Sequence, residues 1–148
     1  MTKILWIDDN LSQDLTDIRM SLIMEDDFDT HFARDATEAR NLLLKESFDV
    51  IIFDLRLPAG ADDFWNERRA QREEKYGRVL LKMIRGNEDG QFSHLKDAKI
   101  GVFTIEPKEA NKDLFETPIL LKPANFAMKT HTFYEDDFIQ FIRNVSVS

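Results

Sequence analysis

Four short apolar runs punctuate the chain, ILWI at 4–7, VIIF at 50–53, IGVF at 100–103 and ILL at 119–121. Each stops at a polar residue: Asp8, Asp54, Thr104 and Lys122. Unbroken runs of this length suit strands buried on both faces of a parallel sheet. A weaker fifth strand is expected at 30–33. Between the runs the apolar spacing changes to that of helices. Leu11, Leu15, Ile18 and Leu22 make one stripe; Ala39, Leu42 and Leu43 follow a capping pair, Asp35 with Glu38. Val79, Leu80, Met83 and Ile84 line a third helix. Thr132 with Glu135 reads as a capping box ahead of a last stripe, Tyr134, Phe138, Phe141 and Val145. Strands alternating with helices predict an α/β domain built on a parallel sheet.

One segment is out of scale with this rhythm. Residues 61–76 are charged with both signs mixed, and the stretch ADDFWNERRAQREEK predicts an extra helix or helical extension. Phe64 and Trp65 within it suggest packing or docking. No repeat, low-complexity tract or interdomain linker interrupts the pattern, so a single domain over 1–148 is expected.

Composition narrows the function classes. The chain has 148 residues, 43% of them hydrophobic and 12 of them Phe, which is enough for a sizeable core. Its net charge of −8 disfavours direct nucleic-acid binding. No stretch approaches the ~20 apolar residues that span a bilayer, and the N-terminus lacks a secretory pattern. The absence of cysteine excludes disulfides, thiol catalysis and Cys-based metal sites. A cytoplasmic protein is expected, with no membrane partner. His31, His94 and His131 are scattered without metal-ligand spacing and are read as surface or packing residues.

The polar residues that end the runs carry the chemistry. In an open parallel sheet, ligands bind at the carboxyl ends of the strands. Asp8, Asp9 and Asp54 would converge there if their strands are neighbours. Two like charges ~4 Å apart repel by roughly 4 kcal/mol at an effective dielectric near 20. Such a cluster must hold a proton, spread apart or recruit a cation. Its hard oxygens favour Mg²⁺ or Mn²⁺. Thr104 supplies a hydroxyl and Lys122 an ammonium that together suit phosphoryl oxygens, with Asp54 as the nucleophile. Taken singly, each residue also reads as a cap, a turn or a loop residue.

As a set in chain order, these residues resemble the receiver domain of two-component response regulators. The match comprises the acidic pair Asp8-Asp9, Asp54, Thr104 and Lys122-Pro123, with LPAG at 57–60 and YGRVLLKMIRG at 76–86 in support. The resemblance implies a doubly wound, flavodoxin-like sheet of five parallel strands in the order 2-1-3-4-5. It implies that Asp54 takes a phosphoryl group from a sensor histidine kinase or a histidine phosphotransfer protein. Asp8, Asp9, Asp54 and the backbone carbonyl of Arg56 would bind Mg²⁺, while Thr104 and Lys122 contact the phosphoryl group. No output domain is expected after Ser148, so the expected output is a downstream partner protein, a phosphorelay or something encoded elsewhere.

Several positions depart from the family pattern. Ile105 stands where a small residue is common and should narrow access to Asp54. Arg56 and Glu106 occupy positions that commonly face the attacking water; they would shield the site as a pair or stand apart as solvated side chains. Ile119 stands three before Lys122, where an aromatic residue is typical. The short stretch from Thr104 to Lys122 predicts a short or irregular fourth helix. Two other readings remain. A haloacid-dehalogenase-like phosphatase also places a nucleophilic Asp after a strand, but its second Asp is replaced here by Arg56. A degenerate receiver would keep the fold and act only as a protein-interaction module.

Overall fold

The computed structural model describes residues 1–11, 15–68, 75–116, 119–130 and 133–148, apart from the side chains of 66–68. Five strands, β1 (Thr2–Ile7), β2 (Phe28–Ala33), β3 (Val50–Phe53), β4 (Lys99–Thr104) and β5 (Phe126–Met128), form one parallel sheet in the order β2-β1-β3-β4-β5. This is the expected doubly wound topology. Helices α1 (Thr16–Ile23), α2 (Ala36–Lys45), α3 (Tyr76–Arg85) and α4 (Glu135–Ser146) cover its two faces.

The unbroken apolar runs follow from burial on both sides of the pleat. Leu5, Ile7, Ile51, Phe53, Ile100 and Val102 pack under α2 and α3 with Ala39, Leu43, Leu80, Leu81 and Ile84. Ile4, Trp6, Val50, Ile52 and Phe103 face the other way, against Ile18 and Leu22 of α1 and Phe138, Phe141, Ile142 and Val145 of α4. Trp6 sits among Phe32, Phe103 and Phe138. Asp35 caps α2 as expected, accepting the Glu38 N–H at 2.8 Å while Glu38 accepts from the Arg34 N–H. For α4, Thr132 lies outside the described residues; the observed cap contact is Tyr134 N–H to Asp137 Oδ2 at 2.9 Å.

The last strand is not where the apolar pattern places it. Residues 119–121 are outside the sheet: the N–H groups of Leu120 and Leu121 both donate to Leu114 O at 3.0 Å, which folds this stretch back on the preceding turn. β5 is instead Phe126–Met128, paired with Val102–Thr104. Between β4 and β5 the chain forms 3-10 turns at Lys108–Leu114 and Pro123–Asn125, so the expected short, irregular fourth helix is what is seen.

The charged insertion begins as a 3-10 helix, Asp63–Arg68, rather than an α-helix; its expected continuation over 69–74 lies outside the described residues. Trp65 is buried and packs edge-on to Phe64 and Tyr76, and the Arg40 guanidinium of α2 lies 3.7 Å from the Phe64 ring centre. These two aromatic residues anchor the start of the insertion to the α2–α3 face.

Candidate functional site

The acidic residues meet because the strand ladders continue one residue past the strands. The Asp8 N–H donates to Ala33 O at 2.9 Å and the Asp54 N–H to Ile7 O at 2.9 Å, so both side chains leave the sheet at the same edge. Carboxylate oxygens of Asp8, Asp9 and Asp54 lie within 4.8 Å of one another. Asp8 and Asp54 are buried and Asp9 is exposed. Thr104 ends β4 and donates its hydroxyl to Asp54 Oδ1 at 2.8 Å; the Arg56 N–H donates to the same oxygen at 3.1 Å.

The loop after Asp54 is held by its neighbours. Leu55 and Leu57 are buried, and Pro58 O and Ala59 O accept the Ala36 and Thr37 N–H groups at the start of α2. On the other side, Tyr76 N–H donates to Leu57 O and Arg78 N–H to Leu55 O. Gly77 packs directly on the Asp54 carbonyl, where a Cβ would lie 1.8 Å from the oxygen. The strand ends in a carboxylate and then breaks because the break delivers its backbone to two helix starts.

The cation of the site is Lys129, not Lys122. The Lys129 N–H continues the β4–β5 ladder to Thr104 O at 2.7 Å, and its ammonium reaches Asp8 Oδ2 at 2.7 Å and Asp54 Oδ2 at 2.9 Å. Lys122 precedes β5 and is exposed at the opposite end of the sheet, beside Lys99, Ile100 and Asn125. Two consequences follow. The site lysine is followed by Thr130 rather than proline, and the position three before it is the aromatic Phe126, packed edge-on to Phe115. The apparent departure at Ile119 therefore vanishes.

Glu106 also differs from expectation. It is buried and its carboxylate lies 3.3 Å from Lys75, at the end of the insertion, while the Arg56 side chain is exposed. An Arg56–Glu106 pair is not formed. Ile105 is 55% exposed and lines a cleft of about 380 Å³ together with Asn10, Phe103, Lys129 and Phe133.

Electrostatics favour a further cation. Burial pushes the Asp8 carboxyl up to about 6 against the pull of Lys129, with the Asp54 charge adding to the rise. Burial alone would lower the Lys129 pKa, but the two carboxylates outweigh it and raise the value. Among the described residues, Lys129 is the ammonium that bridges Asp8 and Asp54, and Asp9 brings a third carboxylate within 4.8 Å of both. The donor set is all hard oxygen, and it fits Mg²⁺ or Mn²⁺.

No family model and no curated protein matches the sequence. Solved structures do match the fold. A CheY-like response regulator receiver domain protein from Methanospirillum hungatei superimposes with a TM-score of 0.68 at 19% identity, covering 99% of this chain and 94% of that one. The response regulator TrrA from Thermotoga maritima, solved in complex with Mg²⁺-BeF, gives 0.63 at 19% identity, covering 98% and 99%. A Burkholderia pseudomallei response regulator with a phosphorylated aspartic acid and a calcium ion gives 0.60 at 21% identity, covering 99% and 69%. The sheet order, the acidic strand ends and these superpositions agree: over nearly its whole length, the chain has the CheY-like fold of response-regulator receiver domains.

Proposed function

We propose that the chain is a phosphorelay receiver whose Asp54 accepts a phosphoryl group from a phosphohistidine on a sensor histidine kinase or phosphotransfer protein. The observation that carries this reading is the convergence of Thr104 and Lys129 on separate oxygens of Asp54, inside a cluster of three carboxylates. In the transfer, a bond forms between Asp54 carboxylate oxygen and phosphorus as the donor's N–P bond breaks. Asp8, Asp9 and Asp54, with the backbone carbonyl of Arg56, would hold Mg²⁺ or Mn²⁺. When bound, the metal neutralises charge on the oxygens in flight. Lys129 stands ready to exchange a carboxylate for a phosphoryl oxygen, and Thr104 to donate its hydroxyl. The structures of TrrA with Mg²⁺-BeF and of the Burkholderia regulator with a phosphorylated aspartate support the reading by likeness of fold.

Phosphorylation adds nearly two negative charges to this edge. Thr104 and Lys129 share one ladder, so their movement is expected to bias the surface around β4 and β5 toward a new partner arrangement. Beryllofluoride with Mg²⁺ tests the switch. Amide NMR signals of Thr104 and Lys129 should shift in the wild type and stay put in Asp54→Asn. A wild type that does not respond points instead to an interaction module that is never phosphorylated. Turnover of small phosphoesters would favour the phosphatase reading.

Two further outcomes are expected. Because the folded-state pKa of Asp8 is raised, its contribution to metal-free stability is fully present below the ordinary value of 3.8 and is lost as pH rises through about 6. At ~1.36 kcal/mol per unit, this group alone removes roughly 3 kcal/mol. A divalent cation requires the ionised form. Mg²⁺ should therefore raise the melting temperature strongly at pH 8 and weakly at pH 5, and an equal rise at both would contradict the assignment. Ile105→Ala should speed dephosphorylation of phosphorylated Asp54 by opening the approach; an unchanged or slower rate would refute that role.

A further inference from the structure

At the opposite end of β4 from Asp54 lies a cleft of about 550 Å³, a volume in the range of small-molecule sites. Its described lining contains four cations, Arg85, Lys96, Lys99 and Lys122, one acidic side chain, Asp97, and Ser148 at the end of the sequence. This concentration of positive charge occurs in a chain with net charge −8. Arg85 is the fixed element. Its Nε donates to Leu120 O and its Nη1 to Ala98 O, both at 3.3 Å, and burial lowers its pKa. Among the described residues no carboxylate pairs with Arg85, Lys96, Lys99 or Lys122. A partly buried guanidinium without an anion is a costly arrangement that a bound anion relieves. Among the described residues two of its five N–H groups are engaged, which leaves three donors, two of them on Nη2, for an anion.

The surrounding backbone makes the cleft a built feature. Residues 119–121 fold back onto Leu114 O, which brings Lys122 to face the start of β4. Asn125 is buried and donates to Ile100 O at 3.1 Å and Ser148 Oγ at 3.0 Å, fixing the far wall. Ile119, 64% exposed, and the half-buried Leu120 add an apolar lip. Among the described residues no aromatic ring lines the cleft, so none of them offers a face on which a base would stack.

We infer that this cleft binds a small aliphatic phosphate monoester, its dianionic head between Arg85, Lys99 and Lys122 and its carbon chain against Ile119 and Leu120. Four cations exceed what a single carboxylate balances, and the apolar lip has no use for inorganic phosphate. The Lys122-Pro123 pair, which by sequence looks like the site lysine, takes its role here.

The test is titration of the full chain with n-butyl phosphate, without divalent metal, followed by amide NMR. Saturable shifts are expected at 96–100 and 119–125, with binding about tenfold tighter than for inorganic phosphate or butyrate. Lys99→Gln and Lys122→Gln, both conservative changes outside the core, should each weaken binding up to about fivefold, and the double variant should abolish saturation. Arg85→Lys should weaken it further, since an ammonium lacks the planar array of donors. Several outcomes overturn the inference: no saturation, equal affinity for butyrate, unchanged binding in the double variant, or shifts confined to Asp8, Asp54 and Lys129. The proposal does not depend on phosphorylation of Asp54, because the probe acts without metal and at the other end of the sheet.

Discussion

Lys129→Met is expected to destabilise the metal-free protein by about 3–5 kcal/mol at pH 8, the typical cost of removing one partner of a buried ion pair. The Lys129 side chain is 12% exposed, and its ammonium bridges Asp8 and Asp54 at 2.7 and 2.9 Å. Without it, two desolvated carboxylates face each other. The chain can limit the cost by protonating Asp8, at about 1.36 kcal/mol for each pH unit above the ordinary carboxylate value. The loss should therefore shrink at pH 5, and Mg²⁺ should recover part of it at pH 8. Lys129 itself has a raised pKa, so its contribution persists through neutrality and fades only as pH climbs past that value. Lys122→Met, at an exposed position, should change stability by no more than about 0.5 kcal/mol. Denaturant titrations of both variants in a chelator, at the two pH values, check this. Equal effects of the two substitutions would reverse the assignment of the site lysine.

Gly77→Ala is the second large effect. Alanine normally stabilises a helix relative to glycine by up to about 1 kcal/mol. Here the added Cβ would stand 1.8 Å from Asp54 O, 2.9 Å from Asp54 C and 3.2 Å from Leu55 Cα. These are backbone atoms, so no side-chain rotation relieves the clash. Either α3 moves away from the sheet or Asp54 moves out of its cluster. The expected loss is about 3 kcal/mol or more, at the upper end for overpacking, together with weaker Mg²⁺ binding. A loss under ~1 kcal/mol with unchanged metal affinity would show that the helix start and the acidic site are not locked together as the structure indicates.

Much of this was legible in the amino-acid sequence, for a physical reason. β1, β3 and β4 are covered on both faces, so their apolar runs are unbroken and the polar residue that ends each one stands out. That is why Asp8, Asp54 and Thr104 could be placed at one edge. The Asp35 cap was equally plain, since it depends on residues three apart.

β5 was not legible. It has three residues, two of them only partly buried and the third exposed, so burial writes little into its composition. Residues 119–121 are more apolar, but their N–H groups are committed to Leu114 O. A proline after Lys122 strengthened the wrong choice. The usable signal was weak: Phe126 to Met128 is itself a short apolar run ending in lysine, with an aromatic residue three before it. The Lys75–Glu106 contact was beyond reach, because it joins the end of the insertion to the loop after β4 across the top of the sheet.

In the reading proposed above, Asp54 is the phosphoryl acceptor of a metal-dependent site completed by Thr104 and Lys129. Incubation of the chain with a radiolabelled phosphohistidine donor tests it most directly. Label should enter the wild type and Lys122→Met only when Mg²⁺ is present, and should be absent from Asp54→Asn. Equal labelling of Asp54→Asn, or labelling that persists in a chelator, would rule out Asp54 as a metal-dependent acceptor.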